Sequence, residues 1–213
     1  MAAAEAFRLN DALYLIQARA QAMAECAATS NGTMLAVVGL SREALEAVAR
    51  EAGVVMANFN TPDQLVLSGR LAGIEQAEGL AKANGAKRAI KLDVAGAFHS
   101  PLMQAAADAF KRAIEKVVIS PPKFSVISNV TGLPVTDPEH IRALLVKQIT
   151  SSVLWEPSMR WLVRHGATTF IEFPPARVLT GLLRKIDPSV KGLPIDEPAD
   201  FDKLSSVLSP HAS

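Results

Sequence analysis

Of the four histidines in the chain, His99 has the surroundings that suit acid–base chemistry. It lies in Gly96-Ala97-Phe98-His99-Ser100, after a strand-like stretch at residues 91 to 94 and before Pro101, whose fixed φ suits the first turn of a helix. A histidine on a strand-to-helix loop can be both exposed and oriented, as a general base must be. The same residues equally allow a capping or core histidine. His140 follows Pro138 at a helix start, and His165 precedes Gly166 at a helix end, where a cation suits the dipole; both read as structural. His211 is in the tail. One cysteine and four scattered histidines give no metal-ligand spacing, and neither a phosphate loop nor a dinucleotide fingerprint occurs. No metal site and no bound cofactor are expected.

A base needs something to activate. Acyl transfer on an α/β sheet usually uses a serine in G-x-S-x-G, held on a strained strand-to-helix turn. Gly39-Leu40-Ser41-Arg42-Glu43 lacks the second glycine, Ser68 ends a strand without such a turn, and Ser100 adjoins His99 so that their side chains diverge. None of the three qualifies as a nucleophile. Cys26, on an alanine-rich helical stretch, reads as a small buried residue rather than a reactive thiol.

Composition narrows the partners. The chain has 213 residues, 49% hydrophobic and 20% charged, with 22 basic against 21 acidic residues. That is the make-up of a globular protein, and no cluster of Lys or Arg offers a nucleic-acid face. A single cysteine excludes a disulfide framework and fits a reducing, cytoplasmic setting. The apolar runs are too short to span a membrane, and the opening MAAAEAF has neither a basic n-region nor an apolar h-region.

The elements that must carry these residues begin with a helix over residues 8 to 28, with Leu9, Leu13, Ile16 and Met23 on one side, stopped by Asn31-Gly32. Next come a strand (34 to 40), a helix capped by Ser41 and running to 50, a strand (53 to 58), a turn at Thr61-Pro62-Asp63, a strand (64 to 68), a helix (71 to 83) closed by Asn84-Gly85, and a strand (86 to 94). This βαββαβ order is that of a ferredoxin-like unit, placed at residues 33 to 94. Beyond it the pattern predicts a helix over 100 to 118, a short buried strand at 124 to 129, and helices over 141 to 150 and 155 to 165. A strand at 168 to 173, a helix at 178 to 186, and then loop with one short helix near 201 to 208 complete it. Strands alternating with helices around the unit imply an α/β core, residues 1 to 32 and 95 to 213, into which the ferredoxin-like unit is inserted. The first helix needs parallel strands to cover it that no earlier residues supply, so the α/β-hydrolase-like core is expected to be incomplete at its N-terminal part.

Several stretches resemble one family. They are Asn58-Phe59-Asn60-Thr61-Pro62 with Gln64-Leu65-Val66-Leu67-Ser68-Gly69, Gly85-Ala86-Lys87-Arg88-Ala89, Gly96-Ala97-Phe98-His99-Ser100-Pro101-Leu102-Met103, Val126 to Gly132, Leu145-Val146-Lys147-Gln148, and Val178-Leu179-Thr180-Gly181-Leu182. In order and over nearly the whole chain, they are similar to the malonyl-CoA:acyl carrier protein transacylases and their polyketide-synthase relatives. That resemblance implies a cytoplasmic acyltransferase of fatty-acid or polyketide synthesis, which passes malonyl from coenzyme A through a serine to the phosphopantetheine thiol of acyl carrier protein. It implies His99 as the base and Gln148 as the residue whose main-chain carbonyl orients it. Arg19 would pair with the malonyl carboxylate, Phe98 would exclude an α-methyl group, and Asn60 would contact substrate. Malonyl-CoA is then substrate, not cofactor.

Two departures from the family pattern stand out. Pro174-Pro175-Ala176-Arg177 replaces glycine-proline-glycine-lysine and resembles the acyltransferase subunit of malonate decarboxylase. The family's G-Q-G-S loop and G-H-S-x-G elbow are absent, and the match to residues 1 to 20 begins beyond both. The nucleophilic serine is therefore expected to be missing and the chain inactive alone, a shortened transacylase or a non-catalytic binding remnant.

Overall fold

The computed structural model describes residues 1–175, 177–202 and 204, and is a mixed α/β protein. It forms two compact units, Met1–Ser158 and Met159–Ser213.

In the first unit, α1 (Leu9–Ser30) stops at Asn31, which adopts a left-handed φ of 42°. Its buried residues are Ala12, Leu15, Ala22, Met23 and Ala27, and they pack against α4 (Gln104–Ile114). The side expected to be inward is split: Met23 is buried, whereas Leu9, Leu13 and Ile16 are 67%, 56% and 66% exposed. The helix is apolar on two sides, and α4 takes the alanine-rich one, where short side chains allow the closest approach.

Between those helices in the chain come β1 (Gly32–Val38), α2 (Arg42–Glu51), β2 (Val55–Thr61), β3 (Gln64–Arg70), α3 (Leu71–Ala83) and β4 (Arg88–Lys91), whose strands form a four-stranded sheet. Ser41 caps α2 as expected, its Oγ accepting from the Ala44 N–H at 3.2 Å. The strand order is β2-β3-β1-β4 with antiparallel neighbours throughout. Alternation sends Leu35, Val37, Leu65 and Leu67 to one face, against Leu45, Val48, Ile74 and Ala77 of α2 and α3. Met34, Ala57 and Val66 line the other face, where Phe98 packs on them. One side of the sheet thus holds its own helices and the other supports the His99 loop.

The free edge of β2 is covered. Val153 donates to the Ala57 carbonyl and accepts from Phe59 N–H, and Ser152 Oγ donates to the Met56 carbonyl at 2.6 Å. Unpaired strand edges are adhesive, and here the strand's open groups fix the segment that follows α5 (Pro138–Lys147). Asp137 caps α5 by accepting from His140 N–H at 2.7 Å, so the main chain of His140 serves the helix start.

Some expectations change. The helix predicted over 100 to 118 begins as a 3-10 turn, Pro101–Met103, capped by Ser100, before α4. The strand predicted at 124 to 129 shrinks to β5 (Val126–Ile127), and Phe124 is exposed. Its partner is β6 (Pro134–Val135), paired antiparallel across a turn in which Gly132 takes φ 68°. The hairpin contributes one side chain, Val135, to the core beside α1 and α4.

The boundary between the units falls within α6 (Trp155–Arg164). The second unit contains β7 (Thr169–Glu172), α7 (Val178–Ile186) and β8 (Lys191–Pro194), with β7 and β8 parallel. Residues 187 onward were expected as loop, so β8 is a correction. Pro188 precedes the strand and Pro194 closes it, and a proline is tolerated at a strand end although it disguises the pattern. Glu172 is buried where α7 begins: burial opposes its charge, but Leu179, Thr180 and Arg177 N–H groups all donate to it, and its pKa is lowered. His165 is structural, stacked on Trp161 with Nδ1 2.7 Å from the Trp161 carbonyl oxygen. The short helix expected near 201 to 208 falls mainly outside the described residues, as does His211.

Candidate active site

His99 sits where tight packing leaves its loop little freedom. A Cβ on Gly96 would lie 2.6 Å from Ala27 Cβ of α1, and one on Gly32 would lie 2.6 Å from Ala97 Cβ. Two glycines therefore let the loop settle between α1 and the start of β1. His99 itself takes a left-handed φ of 58°, a region that costs a non-glycine residue about 1–3 kcal/mol and is held by surrounding structure. On its far side Ser100 Oγ donates to the Ala97 carbonyl at 2.6 Å and accepts from Leu102 N–H. The turn is closed around the histidine.

Its partner comes from the end of α5. The last carbonyls of a helix have no partner inside it, and those of Val146 and Lys147 are taken by Ile149 and Thr150 N–H groups. The next one, Gln148 O, lies 3.1 Å from His99 Nδ1. An Nδ1–H that donates to this carbonyl leaves the Nε2 lone pair available as a base. Burial pushes the His99 pKa below the usual 6.5. The Gln148 carbonyl opposes that shift, the Arg19 charge adds to it, and a Ser151 main-chain hydrogen bond opposes it again. The ring is thereby kept neutral at neutral pH.

Arg19 reaches the same place from α1. Its Nη2 donates to Gln148 Oε1 at 2.7 Å, and burial lowers its pKa without discharging a guanidinium. The Gln148 Nε2 lies 3.1 Å from His99 Nδ1. Of the residues singled out by sequence, Arg19, His99 and Gln148 are therefore brought together, and Phe98 packs beside them between two apolar clusters. Asn60 is half-buried on β2, next to the edge that holds Val153, and stands outside this hydrogen-bonded group. The sequence reading assigned Gln148 a role through its main chain and missed its side chain. Nothing in the spacing of residues 19, 99 and 148 signals that contact, which arises only when α1 and the end of α5 converge.

The serines set aside as nucleophiles occupy other roles. Ser41 caps α2, Ser100 is tied to Ala97, and Ser68 is fully buried with an unpaired hydroxyl. Cys26 is half-buried and its Sγ donates to the Leu102 carbonyl. Among the described residues, no serine, threonine or cysteine side chain hydrogen-bonds to His99, and no three His, Cys, Asp or Glu side chains cluster as a metal site would require.

The site thus sets His99, within reach of the Gln148 carbonyl, beside the Arg19 guanidinium on a mixed α/β scaffold. Residues 1–193 match the acyl transferase domain. The malonyl CoA-acyl carrier protein transacylase of Bacillus subtilis is 39% identical over 98% of this chain and 67% of its own length. An acyl-carrier-protein-S-malonyltransferase from Bartonella henselae superposes with a TM-score of 0.93 at 36% identity, over 98% of this chain and 68% of that one. A malonyl-transacylase solved with its type II PKS acyl-carrier protein superposes at 0.89 and 30% identity, over 93% and 65%. The chain belongs to the acyl transferase domain family, within it to the malonyl-CoA:acyl carrier protein transacylases. It spans about two-thirds of the length of these relatives, between 65% and 68%. No helix among the described residues is long and apolar enough to cross a membrane.

Proposed function

We propose that these residues supply the base and the carboxylate-binding half of a malonyl-CoA:acyl carrier protein transacylase site. The observation that carries the reading is the convergence of Arg19 and His99 on Gln148. His99 Nε2 takes the proton from a serine hydroxyl as that oxygen attacks the malonyl thioester carbonyl, and returns it to the departing coenzyme A thiolate. The phosphopantetheine thiol of acyl carrier protein then enters by the same base, and the serine leaves with the proton. The serine and the oxyanion donors belong to the third of the relatives' length that this chain does not match. Arg19 holds the malonyl carboxylate, Phe98 limits bulk at the α-carbon, and Asn60 contacts the acyl or pantetheine portion.

The four-stranded unit at residues 33 to 94 is read as a ferredoxin-like insert, supported by its antiparallel β2-β3-β1-β4 order. Residues 1 to 32 and 95 to 213 are read as part of a hydrolase-like core. The setting is cytoplasmic, with acyl carrier protein and a coenzyme A thioester as partners and no bound cofactor.

The test is kinetic, in a protein that joins these residues to a transacylase's remaining third. His99→Ala is expected to lower kcat by about 10³-fold or more with little change in malonyl-CoA binding. Arg19→Ala is expected to lose preference for malonyl-CoA over acetyl-CoA, since the paired charge recognises only the former. Unchanged selectivity after the Arg19 substitution would sink the assignment.

A further inference from the structure

The Gln148 side chain has its own logic. A guanidinium has only N–H donors, so the amide atom facing Arg19 must be the oxygen, and the amide nitrogen is then the atom facing His99. His99 Nδ1 consequently has two competing neighbours at 3.1 Å, the Gln148 main-chain oxygen, which accepts, and the Gln148 Nε2–H, which donates. One neutral nitrogen cannot satisfy both. With the proton on Nδ1, the ring donates to the carbonyl and Nε2 is a base, but two N–H groups then point at each other. With the proton on Nε2, Nδ1 accepts from the amide and the ring offers no lone pair to a nucleophile.

We propose that the Gln148 side chain is a positioning residue that sets the His99 tautomer according to where Arg19 points. The contact at 2.7 Å from Arg19 Nη2 holds Oε1, which turns the amide N–H toward Nδ1 and favours the tautomer that cannot act as a base. A carboxylate bound bidentately engages Nη2 in either orientation of the guanidinium fork, side-on with Nε or end-on with Nη1. Nη2 has a second N–H, so the carboxylate need not take the donor that Oε1 uses; it sets an anionic oxygen beside Oε1 on the same nitrogen, and repulsion between the two acceptors drives the amide off Arg19. Released from Arg19, the amide can turn away, the Nδ1 proton settles on the main-chain carbonyl, and Nε2 becomes the base. A malonyl group would arm His99, and an acyl group without a carboxylate would not. The carboxylate part of this idea rests on the malonyl reading above, whereas the link from Arg19 through Gln148 to His99 does not.

The experiment uses nitrogen NMR of the His99 ring at neutral pH in the 213-residue chain, with malonyl-CoA and acetyl-CoA as probes and calorimetry to record binding. The ligand-free chain should show mainly the Nε2–H form. Gln148→Leu keeps the carbonyl but deletes the amide, and Arg19→Met frees it; both should invert the population to Nδ1–H without ligand. Bound malonyl-CoA should produce the same inversion in the unaltered chain, and acetyl-CoA should not. An Nδ1–H ring already dominant in the unaltered chain, or an Nε2–H ring that persists in both variants, would overturn the proposal. If both variants invert the tautomer but malonyl-CoA fails to bind even when the chain is joined to a transacylase's remaining third, the switch stands and the malonyl reading falls.

Discussion

At the scale of single residues, the decisive quantity is the protonation of His99. Burial and the Arg19 charge both lower its pKa from 6.5, and carbonyls of Gln148 and Ser151 only partly offset them. Replacing Arg19 by Met removes one lowering influence, so the His99 midpoint should rise; ring-proton NMR titration measures it directly. A fall or no change would show that the guanidinium does not act on the ring. The same shift has a stability consequence of defined sign. Between the folded pKa and 6.5 the unfolded chain binds the proton that the folded chain refuses, so His99 makes the fold less stable as pH falls through that window. His99 was legible as a candidate from its loop and its proline neighbour. Its left-handed backbone and the Gln148 amide were not, because both depend on contacts across 49 residues of sequence or more.

Elements explain why that loop stays in place. Gly96 touches Ala27 of α1 so closely that an added methyl would meet both Cβ at 2.6 Å and the main-chain Cα at 3.0 Å. Gly96→Ala should therefore cost about 1–3 kcal/mol through overpacking, read from the denaturation midpoint. Ala27→Gly should cost about 1 kcal/mol in a helix interior, yet it opens the space that a methyl group at position 96 would need. The double variant should then be more stable than the two separate costs predict, a coupling that a double-mutant cycle isolates. Strict additivity would mean the two elements yield independently. At this scale the sequence was most readable where local chemistry is strong: Ser41 as a cap, Asn31 as a helix stop, and the β2–β3 turn at residues 62 and 63. It was least readable where two apolar sides compete, as on α1, or where prolines hide a strand, as at β8. Composition cannot say which apolar side a neighbour will take.

For the molecule as a whole, the governing matter is what His99 can activate. The chain aligns along almost its full length with transacylases, yet it spans only about two-thirds of theirs. Among the described residues, the serines nearest to a nucleophile's pattern are a helix cap, a buried strand residue and a tied loop residue. A base without a hydroxyl in reach cannot form an acyl-enzyme, whatever its pKa, because the covalent step needs an oxygen within hydrogen-bond distance of Nε2. The 213-residue chain mixed with excess malonyl-CoA is therefore expected to release no stoichiometric burst of coenzyme A when the free thiol is separated and quantified by chromatography. A burst of one equivalent that persists in Cys26→Ala would place a nucleophile among these residues and refute the division of the site. A burst that disappears in Cys26→Ala would instead assign it to that half-buried thiol, against its hydrogen bond to the Leu102 carbonyl.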